Sequence, residues 1–220
     1  MVRSVVSGNA AAARGGTLVV VVGPSGAGKD TLIAHARERF AADPSVHFVR
    51  RAITRQAQPD AEDHDTLTED AFDAAETAGA FAVTWRAHGL SYGVPVQVND
   101  HLAAGGVAVL NGSRLALPAI RRAFGRVLTV HVTCRPDVLA ARLAARGRET
   151  AQEQGQRLAR AASPSDRLAD AVEIDNSGDL AISGGTLVRI ISQAHGKASC
   201  PRGVDDAFGV QAKVSSATRC

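Results

Sequence analysis

Residues 17–31 read TLVVVVGPSGAGKDT, and this stretch decides the fold. Thr17 to Val22 is a β-branched apolar run of the kind that fills a parallel strand covered on both faces. Gly23 to Lys29 is a glycine-rich turn. From Asp30 to about Phe40 the residues Leu32, Ile33, Ala36 and Phe40 fall on one helical face. Strand, glycine loop with a terminal lysine, and helix, in that order, make a phosphate-binding loop. Glycines let successive backbone N–H groups turn inward around anionic oxygens, and the helix N-terminus adds partial positive charge. The lysine then reaches the β- and γ-phosphates of a nucleotide. The expected nucleotide-binding residues are therefore Gly23, Pro24, Ser25, Gly26, Ala27, Gly28, Lys29, Asp30 and Thr31, with Lys29 also catalytic. Lys29 is the only lysine before Lys197 and Lys213, so its position is informative.

One position departs from the usual loop. The residue after the lysine is ordinarily Ser or Thr, whose hydroxyl ligates Mg²⁺. Here it is Asp30. Thr31 does not replace it, because one residue turns a helix position by about 100°. A carboxylate is a hard oxygen ligand, so Asp30 is expected on the metal side of Mg²⁺-bound ATP.

Outward from the loop, apolar runs at Val46 to Arg51, Val107 to Leu110, Val127 to Val132 and Val172 to Asp175 read as strands. Helical stretches lie between them, at Leu115 to Phe124, Pro136 to Arg146 and about Ala151 to Ala162. A last helix over Leu180 to Gln193 carries the weakening pair Gly184-Gly185. Strands alternating with helices predict an α/β fold, a parallel sheet covered on both faces. Residues 52–94 differ. They hold a turn-rich polar segment, a short helix over Thr68 to Ala78, and two alternating stretches, Phe81 to Trp85 and Leu90 to Tyr92. This is a small, partly β insertion. Pro95 to Ala104 reads as a helix with proline at its first position. Residues 1–16 read as a disordered arm and 196–220 as a flexible tail.

Composition narrows the function. The chain has 220 residues, 45% apolar, with 25 basic against 22 acidic side chains. That balance does not suit a dedicated nucleic-acid binder. No run reaches the roughly 18 apolar residues of a membrane helix, and the N-terminus lacks a signal-type apolar core of about 7 residues. Cys134, Cys200 and Cys220 show neither disulfide nor zinc spacing. A cytoplasmic protein is expected, without nucleic-acid or membrane partners.

Further motifs carry a resemblance. Arg51-x-x-Thr54-Arg55 and His88-Gly89-x-x-Tyr92-Gly93-x-Pro95 resemble the guanylate kinase superfamily, whose first arginines hold the acceptor phosphate and whose insertion recognises the base. The guanine-reading features differ: that family's insertion glutamate falls at Val83, the first tyrosine of its Tyr-Tyr-Gly at Ser91, and the Asp of its second sheet motif at Asn111. A closer match follows. Gly28-Lys29-Asp30-Thr31-Leu32, Arg51-x-Ile53-Thr54-Arg55, Glu62-Asp63-His64 with Leu67-Thr68-Glu69, Trp85-x-Ala87-His88-Gly89-Leu90-x-Tyr92-Gly93-Val94, Val109-Leu110-Asn111-Gly112-Ser113-Arg114 and Arg146-Gly147-Arg148-Glu149 together resemble the ribose 1,5-bisphosphate phosphokinase family. The resemblance runs over about residues 17–193. It implies transfer of the γ-phosphoryl group of ATP to the 1-phosphate of ribose 1,5-bisphosphate, giving 5-phosphoribosyl 1-diphosphate and ADP, in phosphonate breakdown. It also implies a P-loop kinase with a small acceptor-binding insertion and a short lid at about 146–157.

The chemistry agrees. A phosphate oxygen is already anionic and needs no general base. It needs charge neutralisation and in-line placement. Arginine suits a substrate with two phosphates, because its planar fork binds phosphate in a bidentate way. Arg51 and Arg55 are the acceptor candidates, or else solvated surface arginines. Arg114 is expected at the sheet edge. Arg142, Arg146 and Arg148 surround the Gly147 break as catalytic lid candidates, with a solvated helical face as the alternative for Arg142 and Arg146. His64 enters from the family pattern alone. Tyr92 is a substrate contact or part of the insertion's core, and core is favoured for Trp85. Asn111 stands at a strand C-terminus, where open parallel sheets place ligand residues. Two rivals remain: a kinase acting on GMP, and a non-catalytic binding module that kept the fold.

Overall fold

The computed structural model describes residues 15–55, 64–87, 89–145 and 168–195. The expected arm over most of 1–16, the 146–157 lid, the 151–162 helix and the 196–220 tail lie outside the described residues. In chain order the elements are β1 (Thr17–Val22), α1 (Lys29–Arg39), β2 (Val46–Phe48), β3 (Arg51–Ile53), β4 (His64–Thr66), α2 (Glu69–Thr77), β5 (Phe81–Ala87), β6 (Leu90–Pro95), α3 (Val98–Ala103), β7 (Val107–Asn111), α4 (Leu117–Ala123), β8 (Val127–Thr133), α5 (Pro136–Ala145), β9 (Val172–Asp175) and α6 (Leu180–Ala194).

Five strands form one sheet in the order β2-β7-β1-β8-β9, every pairing parallel. β1 lies at its centre, and Leu18 through Val22 are fully buried. Side chains alternate across a strand, so β1 feeds two cores. Leu18, Val20 and Val22 pack with Leu110, Leu117, Ile120 and Phe124 on one face. Val19 and Val21 pack with Leu32, Ile33 and Ala36 of α1 and Leu187 and Ile191 of α6 on the other. Each fully buried valine contributes about 1.5–3 kcal/mol of transfer free energy. This is the α/β architecture the apolar runs predict.

A second sheet of four strands, β4-β3-β6-β5, carries the insertion. β5 and β6 form an antiparallel hairpin, and Val83, Trp85 and Val94 join the same core as Leu18 and Val20. Helix α2 begins where Thr68 Oγ1 accepts from the Ala71 amide at 3.2 Å, a side-chain cap on an otherwise unsatisfied donor. Phe72 of α2 is buried and stacks on Phe81 with ring centroids 4.9 Å apart.

Two expectations are corrected, and the expected last helix is found. Val46 to Arg51 is not one strand. The Val49 amide still bonds Val109 O at 2.9 Å, and then the chain leaves the first sheet and Arg51 opens β3 of the second. Pro95 is not at a helix start. It ends β6 opposite Phe81, and α3 begins at Val98. On its other side β6 pairs β3 only at Tyr92 and Gly93, so the missing proline N–H breaks no ladder there. Finally, Gly184-Gly185 leaves α6 unbroken from Leu180 to Ala194. A Cβ at Gly184 would come within 2.5 Å of the His35 ring, so the missing side chain lets α1 and α6 approach closely.

Candidate active site

The loop after β1 is shaped by glycines at positions that exclude other residues. Gly26 and Gly28 have φ of 88° and 89°, in the left-handed region. A Cβ at Gly23 would lie 2.2 Å from Val132 O, and one at Gly28 would lie 2.3 Å from Asn176 Nδ2. Gly28 caps α1 with no side-chain hydrogen bond, so the first helical N–H groups remain as anion donors. Lys29 Nζ donates to the carbonyls of Gly23 and Pro24, each at 3.0 Å. The ammonium therefore arches back over the loop it closes.

Two side chains from distant elements grip the loop. Arg142 of α5 brings Nη1 to 3.4 Å from Ala27 O. Asn176, just past β9, donates Nδ2 to the same carbonyl at 2.7 Å, and its Oδ1 accepts from Ser183 Oγ at 2.7 Å. Asn176 and Ser183 are both buried. Sequence reasoning missed Asn176. Its signal was its place immediately after a strand, the criterion that picked Asn111. Gly26, Gly28, Thr31, Arg142, Asn176 and Leu180 line a cleft of about 340 Å³ beside the loop. That volume lies within the ordinary range for small-molecule sites.

Asp30 and Asn111 meet. Asn111 ends β7, which neighbours β1 with Val21 opposite Asn111. Its Nδ2 donates to Asp30 Oδ1 at 2.5 Å. Asn111 is buried and Asp30 is exposed. No cluster of three or more His, Cys, Asp or Glu side chains exists among the described residues. Mg²⁺ needs no such cage, since one or two carboxylates plus substrate phosphates ordinarily hold it. The exposed Asp30 carboxylate at the head of α1 fits that requirement.

Arg51, Arg55, His64 and Tyr92 gather on or beside the second sheet. Arg51 is only 5% exposed, so it is not a solvated surface arginine. Its guanidinium lies 5.4 Å from the Tyr92 ring and 5.7 Å from the Trp85 ring. Those rings stack on each other 5.2 Å apart with planes 2° off parallel. Trp85 is buried and Tyr92 half-buried. His64 is buried in β4, in register with Arg51 of β3. Arg55 is half-buried, and its Nε has no hydrogen-bond partner among the described residues. Thr54, between them, is tied to Ser91: its Oγ1 accepts from the Ser91 amide at 2.9 Å, and its own amide donates to Ser91 O at 3.1 Å. Ser91 Oγ in turn donates to Glu69 Oε2 at 3.0 Å. Arg114 opens the 3₁₀ turn after β7, half-buried. Arg146 and Arg148 lie outside the described residues.

Comparison with known proteins completes the picture. A family model described as an AAA domain matches residues 19–162. A protein of Agrobacterium fabrum named ribose 1,5-bisphosphate phosphokinase PhnN is 45% identical over 179 residues, covering 81% of this chain and 98% of the relative. Proteins of the same name from Brucella melitensis and Acidiphilium cryptum are 48% and 52% identical, covering 76% and 72% of this chain. Among solved structures, guanylate kinase from Anaplasma phagocytophilum superposes with a TM-score of 0.65 at 17% identity, covering 84% of this chain and 89% of that one. That likeness shows the fold. No described helix is long and apolar enough to cross a membrane.

Proposed function

The chain belongs to the ribose 1,5-bisphosphate phosphokinase family, and from that premise we propose that it phosphorylates the 1-phosphate of ribose 1,5-bisphosphate with Mg²⁺-ATP. The observation that carries this reading is identity of 45–52% with relatives of that name over most of the chain, together with a phosphate loop whose glycines and lysine are in place. An oxygen of the 1-phosphate attacks the γ-phosphorus of ATP. The bond from that phosphorus to the bridging oxygen of ADP breaks, and a diphosphate forms at C1. The nucleophile arrives ionised, so no proton must be removed.

The chain's residues divide the remaining work. Backbone amides from Gly26 to Lys29 cradle the phosphates, and Lys29 leaves the Gly23 and Pro24 carbonyls to neutralise the γ-phosphoryl oxygens. Arg142 stands beside the loop to do the same from α5. Arg146 and Arg148 continue that basic series. When bound, Mg²⁺ would supply positive charge that offsets the charge of the reacting phosphates. Asp30 is the residue that would hold it. Arg55 and Arg114 take the acceptor's phosphates with His64. Arg51 shapes the pocket together with Tyr92, against which it is stacked. The cleft by Leu180 takes the nucleoside end of ATP.

Refusal of guanine is expected on local grounds. Val83 is buried and apolar, and Ser91 is already committed to Thr54 and Glu69. A purine's polar edge would find no partners there, which costs GMP affinity heavily. ADP release measured with ribose 1,5-bisphosphate, GMP and no acceptor, side by side, tests the assignment. Turnover confined to the sugar bisphosphate is expected. Turnover with GMP would overturn the substrate and leave the fold standing.

A further inference from the structure

P-loop NTPases split the protein side of the Mg²⁺ shell between a hydroxyl directly after the lysine and a carboxylate from a separate element. This chain has a carboxylate directly after the lysine, at Asp30, and an amide, Asn111, at the end of the strand beside β1. The two side chains touch, Asn111 Nδ2 to Asp30 Oδ1 at 2.5 Å. We propose that these two departures are one compensated exchange: the single carboxylate of the cation site has moved from the strand end to the loop helix, and Asn111 is the positioning residue that holds it there.

Three features of the contact support this. A carboxylate only accepts, so the facing Asn111 atom must be the NH₂ group, and the amide orientation is fixed by chemistry. A carboxylate at position 111 would set two like charges at that same contact, so the carboxylate on the helix and the amide on the strand require each other. Asp30 Oδ2 takes no hydrogen bond from any described residue, which leaves one hard oxygen for a cation. The first turn of α1 also favours a negative charge, which suits a carboxylate at position 30. Asn111 is buried, which restrains its amide while it serves Asp30.

The inference rests on the reading of this site as a Mg²⁺-nucleotide site, but not on the identity of the acceptor. Its test is a cycle of four proteins: the natural chain, Asp30→Ser, Asn111→Asp, and the double variant. The readouts are the Mg²⁺ concentration that half-saturates ATP binding in calorimetry, and Tm with and without Mg²⁺. Asp30→Ser should raise the Mg²⁺ requirement about tenfold or more, the scale of one charged ligand. Asn111→Asp should lower Tm without metal, and added Mg²⁺ should recover it. The double variant should return the Mg²⁺ requirement to within about threefold of the natural chain, a strongly non-additive result. If Asn111→Asp does not fold, Asn111→Leu replaces it. Adding Asp30→Ser to Asn111→Leu should then change the Mg²⁺ requirement less than adding it to the natural chain. Additive effects in either cycle would overturn the exchange. A natural chain that binds Mg²⁺-ATP and shows the coupling, yet turns over no sugar bisphosphate, would instead fault the proposed substrate.

Discussion

At the scale of single residues, the decisive groups act on charge. Lys29→Ala removes the one ammonium that closes the loop. Its kcat should fall about 10²–10³-fold, the usual loss for one electrostatic contact to a reacting group. An unchanged far-UV spectrum would show that the fold survives, and a loss under fivefold would mean that the lysine is not at the phosphates. Asn176→Ala removes the two 2.7 Å hydrogen bonds to the Ala27 carbonyl and the Ser183 hydroxyl, leaving Ala27 O only the 3.4 Å contact with Arg142 and Ser183 Oγ its bonds to the Asp179 and Leu180 carbonyls. Unfolding in urea should show a loss of about 1–3 kcal/mol, and ATP should bind more weakly. Arg55→Ala should raise the acceptor KM and spare ATP binding, as read by calorimetry with ATP alone. An effect confined to ATP would place Arg55 on the donor side. Lys29 and its glycines were legible because the motif is contiguous in sequence. Asn176 was not, because its partner Ala27 is 149 positions away and no local pattern marks the pair.

At the scale of elements, hydrophobic runs predicted strands and helices where one face meets the core. They erred where tertiary contact overrode local preference. Val46 to Arg51 reads as one strand because every residue suits extended backbone, yet β2 and β3 belong to different sheets. Pro95 carries a helix-start signal but ends a strand whose β3 neighbour has already stopped pairing, while Phe81 of β5 still stands opposite it. Gly184 looks like a helix weakness and is a point of close packing against His35. Gly184→Ala tests that packing. Intrinsic helix propensity alone would make it stabilising by about 1 kcal/mol. Overpacking against α1 should instead destabilise the protein by about 1–3 kcal/mol in chemical denaturation.

At the scale of the whole molecule, the parallel sheet explains why the site is where it is. With every strand of the first sheet running the same way, the C-terminal ends of β1, β7 and β9 share one edge. That edge carries the phosphate loop, Asn111 and Asn176, from segments far apart in the chain. The second sheet packs into the core of the first through Val83, Trp85 and Val94, and brings Arg51, Arg55, His64 and Tyr92 as a second group. The alternation of strands and helices made the first sheet legible. The pairing β4-β3-β6-β5 was not, since it joins short strands whose register is set by packing. The proposed reaction is phosphoryl transfer from ATP to the 1-phosphate of ribose 1,5-bisphosphate. It is tested most directly by supplying ATP labelled at the γ-phosphate with ribose 1,5-bisphosphate and locating the label by ³¹P NMR. The label should appear at the terminal phosphorus of the new diphosphate on C1, and about 10²–10³-fold more slowly with Lys29→Ala. Label found only in inorganic phosphate, or transferred to GMP in competition, would contradict the account.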